Sequence, residues 1–227
     1  QEMINRYIAP EMQSAMKEMA SKGGDMKKVD GGKLFPTLNM LNAKYFILPL
    51  REGSTTPVTN PYALGNGWFV DKITYVENAN AEYDQVGRVD VRKEAVADKR
   101  FEDILGQART NDSTASVTLT KYEPDNLRYT VNSTNGGIVV FSEIYYPGWT
   151  ATIDGQPVEP GRVNYILRAL NVKPGQHTVV FDFHPASITA TETIAYIAIA
   201  ILLLTIFAVG ITEWKKRGKA SPIPGKE

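Results

Sequence analysis

The sequence predicts a mainly β protein: an antiparallel β-sandwich with a few short helices, followed by one C-terminal transmembrane helix. Three observations predict it. From Ala115 to Phe183, runs rich in Val, Thr, Ile and Tyr recur between turn signals, as strands of a sandwich do. Ile194 to Ile211 reads IAYIAIAILLLTIFAVGI, eighteen residues without a charge, which at about 1.5 Å per residue covers about 27 Å of hydrocarbon. Ahead of Ala115 the helical and strand-like runs are short and mixed.

Residues 1–33 read as an N-terminal helix and loop. MQSAMKEMASK is rich in helix formers and GGDMKKVDGGK is a glycine- and charge-rich break. Met12, Met16 and Met19 fall at i, i+4 and i+7, an apolar face better explained by packing than by ligand binding. Residues 34–110 form a mixed α/β segment packed on the sandwich. Leu34, Leu38 and Leu41 have helical spacing, and Tyr45 to Leu48 read as a buried strand that Pro49 ends. REGSTTPVTNPYALGNG is a loop by composition, WFVDKITYVEN a strand, NAEYDQV a short helix and EAVAD a brief strand. Phe101, Ile104 and Leu105 make one apolar helical turn.

Residues 111–187 are the sandwich module. ASVTLTKYE, NLRYTVNS and GGIVVFSEIYY are strands separated by PD and TNGG turns. In YPG, Pro147 fixes φ and Gly148 supplies the positive φ of a type II turn, with Trp149 following as an apolar anchor. Asp154-Gly155 is a hairpin turn, and Pro174-Gly175 repeats the Pro-Gly bend before HTVVFDF, where Val179, Phe181 and Phe183 share a face. Residues 188–213 hold the linker and transmembrane helix, and 214–227 a basic tail whose last part, ASPIPGKE, has no helical pattern.

The 25 basic and 25 acidic side chains leave no field to draw in nucleic acid, which is not an expected partner. With no cysteine the chain has no disulfide, thiolate metal site or cysteine nucleophile. Trp214, Lys215, Lys216, Arg217 and Lys219 follow the apolar run, whereas HPASITATET before it has neither Lys nor Arg. The positive-inside bias therefore predicts residues 1–193 on the extracytoplasmic side and a cytoplasmic C-terminus. Tyr196 and Trp214, with Lys215, Lys216 and Arg217, are the expected membrane anchors. QEMINRYIAP is no signal peptide, so the chain is expected to be a piece of a longer protein with earlier spans. A tail-anchored protein starting at Met3 is the other topology.

Chemistry is sparse. Glu143 and Asp154 flank the Trp149 bend and would be acid and base of a hydrolase if they converged, though carboxylates beside turns more often bond backbone amides. His177 and His184 are the only histidines and lie seven apart, so no metal site and no cofactor are expected. No GxSxG, P-loop or dinucleotide fingerprint occurs. Tyr145, Tyr146, Trp149 and Tyr165 are candidate glycan contacts through ring stacking, with core filling as the alternative use for half of them. Asn132-Ser133-Thr134 fits the short N-glycosylation pattern.

Three patches together, LNMLNAKYFIL, then ALGNGWFVDKITYVENANAEYD with FEDIL, then YYPGWTATIDGQPVEPGRVNYILRALNVKPGQHTVVFDFHP, resemble the C-terminal region of the bacterial YfhO family of large multi-span membrane proteins. The likeness runs from Leu38 to Arg217. It implies many helices ahead of this region and a parent similar to GT-C glycosyltransferases, which use polyprenyl-phosphate sugars and are linked with glycosylation of surface polymers such as lipoteichoic acid. The catalytic acidic residue of such enzymes lies in an early extracytoplasmic loop that nothing here matches, so no catalytic residue is assigned. The resemblance implies an extracytoplasmic accessory or structural domain of the bacterial cytoplasmic membrane. Its partners would be the lipid bilayer, the upstream transmembrane helices of the same parent chain, and a lipid-linked sugar or surface polymer. The competing reading is a single-pass, membrane-anchored β-sandwich that binds glycan or a protein partner on its own.

Overall fold

The computed structural model describes residues 1–49, 53–110 and 113–217, with the backbone alone for Met26, residues 186–189 and Arg217. Two antiparallel sheets face each other. One holds β6 (Ser116–Tyr122), β7 (Asn126–Ser133), β9 (Trp149–Ile153), β10 (Gln156–Val158) and β13 (Gly175–Phe183) in the order β10-β9-β13-β7-β6. The other holds β3 (Gly67–Val70), β8 (Gly137–Ile144), β11 (Gly161–Val163) and β12 (Leu167–Val172) in the order β11-β12-β8-β3. The mainly β, antiparallel fold with short helices and one long apolar C-terminal helix is the predicted class.

The space between the sheets is filled by alternate residues of each strand: Leu127, Tyr129 and Val131, Val139 and Phe141, Leu170 and Val172, Val179 and Phe181. Tyr129, Phe141 and Phe181 meet edge to face, with centroids 4.9 to 6.0 Å apart. The four-stranded sheet is buried on its other face as well. There Ile138, Val140, Leu167 and Ala169 pack against Val86, Ala95, Ala97 and Leu105. Burial on both faces explains why β8 reads as the unbroken run IVVF instead of alternating, as β7 does.

That outer layer is a parallel pair, β4 (Lys72–Val76) and β5 (Glu94–Asp98), joined through α4 (Ala79–Val86). Asn78 caps α4 by accepting the Ala81 N–H at 3.0 Å. The single strand expected over WFVDKITYVEN is therefore two strands in different sheets. The break falls at Asp71, where the N–H groups of Asp71 and Lys72 both turn to the Lys93 carbonyl. The helical turn expected at Phe101 to Leu105 forms as a 3₁₀ turn, Lys99–Phe101, leading into α5 (Glu102–Leu105).

At the N-terminus a π-helical turn, Ile4–Ile8, runs into α1 (Ala9–Ser21), and α2 (Gly31–Leu34) and α3 (Pro36–Met40) follow. β1 (Tyr45–Pro49) pairs with β2 (Thr55–Thr59), a strand where composition predicted only loop. Its three threonines favour the extended chain, and Pro57 is tolerated because a two-stranded ribbon leaves outward N–H groups unused. Phe35, Phe46, Leu38, Ala15 and Met19 form a third core here. The methionine stripe is thereby split, since Met19 is buried whereas Met12 and Met16 stay exposed.

The turn chemistry follows the sequence. Asp154 and Gly155 have φ of 52° and 78°, both positive as a type I′ hairpin requires. Gly148 has φ 101°, and the Trp149 N–H donates to the Tyr146 carbonyl across the Pro-Gly bend. The chain divides into the units Gln1–Phe183 and His184–Glu227. The second contains α6 (Ala186–Arg217), in which Ala190–Lys216 is long and apolar enough to cross a membrane. Those 27 residues measure about 40 Å. The sequence ASPIPGKE and Lys219 lie outside the described residues.

Candidate functional site

Between Leu167 and Arg168 the β8–β12 ladder shifts register: Leu167 pairs with Ile144 but Arg168 with Phe141, so Ser142 and Glu143 bulge from β8. The Ser142 hydroxyl lies 2.6 Å from the Gly65 carbonyl and 2.9 Å from that of Met40, tying the bulge to the preceding loops. The bulge brings Glu143 to Arg168, which alternates with Leu170 and Val172 and so points into the space between the sheets.

Arg168 is 1% exposed, a charge inside an apolar core. Its guanidinium carbon lies 4.3 Å from the Trp149 ring and 4.5 Å from that of Phe181, and its Nη2 donates to Glu143 Oε2 at 3.4 Å. Nε and Nη1 of Arg168 and the Tyr129 hydroxyl are buried beside this pair with no protein partner. Burial lowers the Arg168 pKa and raises that of Glu143, each partly offset by the other's charge. Burial also lifts the Tyr129 hydroxyl, with the nearby Glu143 charge adding to the rise.

The four candidate glycan contacts do not form one surface. Trp149 is half-buried and inward, covering Arg168, with its ring 5.1 Å from Phe183. Tyr146 is 59% exposed and touches Phe183 at 6.3 Å. Tyr145 turns the other way and packs on Phe101, at 5.7 Å, in the core of the outer layer. Tyr165 stands in the β11–β12 hairpin with φ 71°, a conformation rare for a bulky side chain.

The neighbours of that hairpin hold it there. The fully buried Glu82 accepts the Tyr165 N–H at 2.7 Å and Arg162 Nη2 at 2.6 Å, and Asn164 exchanges two hydrogen bonds with the backbone of Val96. The Tyr165 hydroxyl donates to Glu2 at 2.7 Å, which raises its pKa. Tyr165 also lines an open depression with Ile4, Ile144 and Ile166.

Glu143 and Asp154 are not a catalytic pair. Asp154 follows the far end of β9 from Trp149, five residues or about 16 Å along the strand. There it accepts from His177 Nδ1 at 2.6 Å and from the Thr178 N–H at 2.8 Å, contacts that hold its carboxyl below the usual range. Among the described residues no group of three or more His, Asp or Glu side chains gathers as metal ligands would.

In the second unit Tyr196 and Trp214 are 69% and 77% exposed on α6. Lys215, Lys216 and Arg217 continue the same helix, Lys216 pairing with Glu213 at 2.7 Å.

Arg168 is the residue that strand-and-turn reading missed. Its signal is present in LRALNV, where a charge stands at an inward position of an apolar strand. Glu82 had no comparable signal, because NAEYD reads as an ordinary exposed helix face.

Residues 99–195 match the family described as Bacterial membrane protein YfhO. No curated protein and no solved structure matches the chain.

Proposed function

We propose, from the premise that residues 99–195 form a YfhO-family region of a bacterial membrane protein, that the β domain is an extracytoplasmic accessory domain of a polytopic, GT-C-like protein. It shapes the outer wall of the site where a lipid-linked sugar or surface polymer is handled, and the catalytic residues lie on another part of the parent. One observation carries this reading. The two carboxylates flanking the Trp149 bend are engaged separately, Glu143 with Arg168 and Asp154 with His177, while the domain is joined through His184 and Pro185 to an apolar helix. Tyr146 and Tyr165, the two candidates with outward or depression-lining rings, are the proposed glycan contacts.

The test is to count hydrophobic spans encoded upstream of Gln1 and to measure protease access to residues 146–162 in intact cells. About ten spans with cleavage from outside support the proposal. A lone signal sequence, or a domain shielded in the cytoplasm, sinks it and leaves a single-pass anchored sandwich.

A further inference from the structure

Outside α6, eight large apolar side chains are exposed among the described residues, and four of them, Met12, Met16, Tyr45 and Ile47, line one groove of about 300 Å³. Their exposures are 44%, 43%, 61% and 63%. α1 supplies one wall and β1 the other, with Leu38 and Phe46 between them. Of the lining side chains only Tyr45 carries a hydrogen-bonding group, so the groove is not built to orient a polar small molecule.

Two lysines adjoin the lining residues in sequence. Lys17 follows Met16 and Lys44 precedes Tyr45; both are exposed or half-exposed, and neither has an acidic partner among the described residues. The nearest acids in sequence are used elsewhere: Glu11 accepts the N–H groups of Thr37 and Leu38, and Glu18 pairs with Lys22 at 3.8 Å.

Four half-exposed side chains offer roughly 400 Å², about half of what one partner gives a standard stable protein interface. An untethered dimer through this face would be weak. A bilayer surface needs less, because the chain's own apolar helix keeps lipid permanently near and a few interfacial side chains with basic neighbours then suffice.

We propose that this face docks on an anionic lipid surface, with Met12, Met16, Tyr45 and Ile47 entering the interfacial layer and Lys17 and Lys44 meeting headgroup charge. The proposal does not depend on the glycosyltransferase reading or on the side of the membrane.

The full chain has no cysteine, so a single introduced cysteine takes one label. With one copy per nanodisc of anionic lipid, an environment-sensitive fluorophore is placed on Ile47→Cys or Met16→Cys, and on Tyr122→Cys at the β6 edge as control. The groove labels should emit blue-shifted and lose most of their emission to lipids doxyl-labelled near the headgroup, while the Tyr122→Cys label does neither. Lys17→Gln with Lys44→Gln should lower the docked-to-undocked ratio roughly tenfold. A blue shift without doxyl quenching means that protein covers the face, and overturns the proposal; so does the absence of any shift. Quenching equally strong in uncharged lipid overturns its headgroup-charge part.

Discussion

Arg168 decides most at the scale of single residues. Removing the carboxylate of Glu143 leaves a buried guanidinium without its one ionic partner among the described residues, so Glu143→Ala should cost about 3 kcal/mol. Arg168→Met should cost less, because Glu143 is a quarter exposed and can turn to water. The pair Arg168→Met with Glu143→Gln should lie within about 1 kcal/mol of wild type, since a packed apolar side chain replaces a desolvated charge. Denaturant unfolding followed by tryptophan emission measures all three, and equal losses for both single variants would refute the asymmetry. Asp154 gives a pH dependence. Its pKa is lower folded than unfolded, so its contribution is present above about pH 4 and is lost as pH falls through the depressed folded value. Asp154→Asn should therefore lower stability at neutral pH and flatten the acid arm of the stability curve.

Turn glycines separate two physical costs at the scale of elements. Gly155 has φ 78° and open space where a methyl group would stand, so Gly155→Ala meets backbone strain alone, about 1 kcal/mol. Gly136 has φ 66° and a methyl there would stand 2.5 Å from the Val172 carbonyl oxygen, so Gly136→Ala should cost about 3 kcal/mol or more, the two melting temperatures ranking accordingly. These turns were readable from Asp-Gly, Pro-Gly and Gly-Gly because φ > 0 is a local demand. The strands β6, β7, β8 and β13, and the hairpin around Asp154-Gly155, were readable for a related reason, since alternation and β-branching act over a few residues. What escaped was set by distant partners. Nothing local in WFVDKITYV says that Asp71 hands its N–H to Lys93, and nothing in TTPVT says that β1 waits to pair with it. The candidate site divides likewise. Arg168 was missed although LRALNV carries its signal, a charge at an inward position, whereas the turning of Tyr145 into one core and of Trp149 into another depends on a bulge that pairing alone creates.

For the whole molecule the open choice is between a domain fixed by many spans and one carried by a single helix, and the basic residues after the span can discriminate between them. Lys215, Lys216 and Arg217 bias orientation only where no earlier helix has already set it, because upstream spans usually dominate topology. The Lys216–Glu213 pair does not weaken that bias, since acidic residues contribute little to it. Glu159→Cys places a single exposed thiol on the β domain. Under the polytopic reading a membrane-impermeant maleimide labels it from outside in intact cells. Changing these three residues together with Lys219 to Asn should then leave labelling within about twofold of the unsubstituted level, because the topology is held elsewhere. A single-pass chain would instead lose much of its labelling as inverted molecules accumulate. No labelling even with the basic residues intact would mean that the β domain faces the cytoplasm.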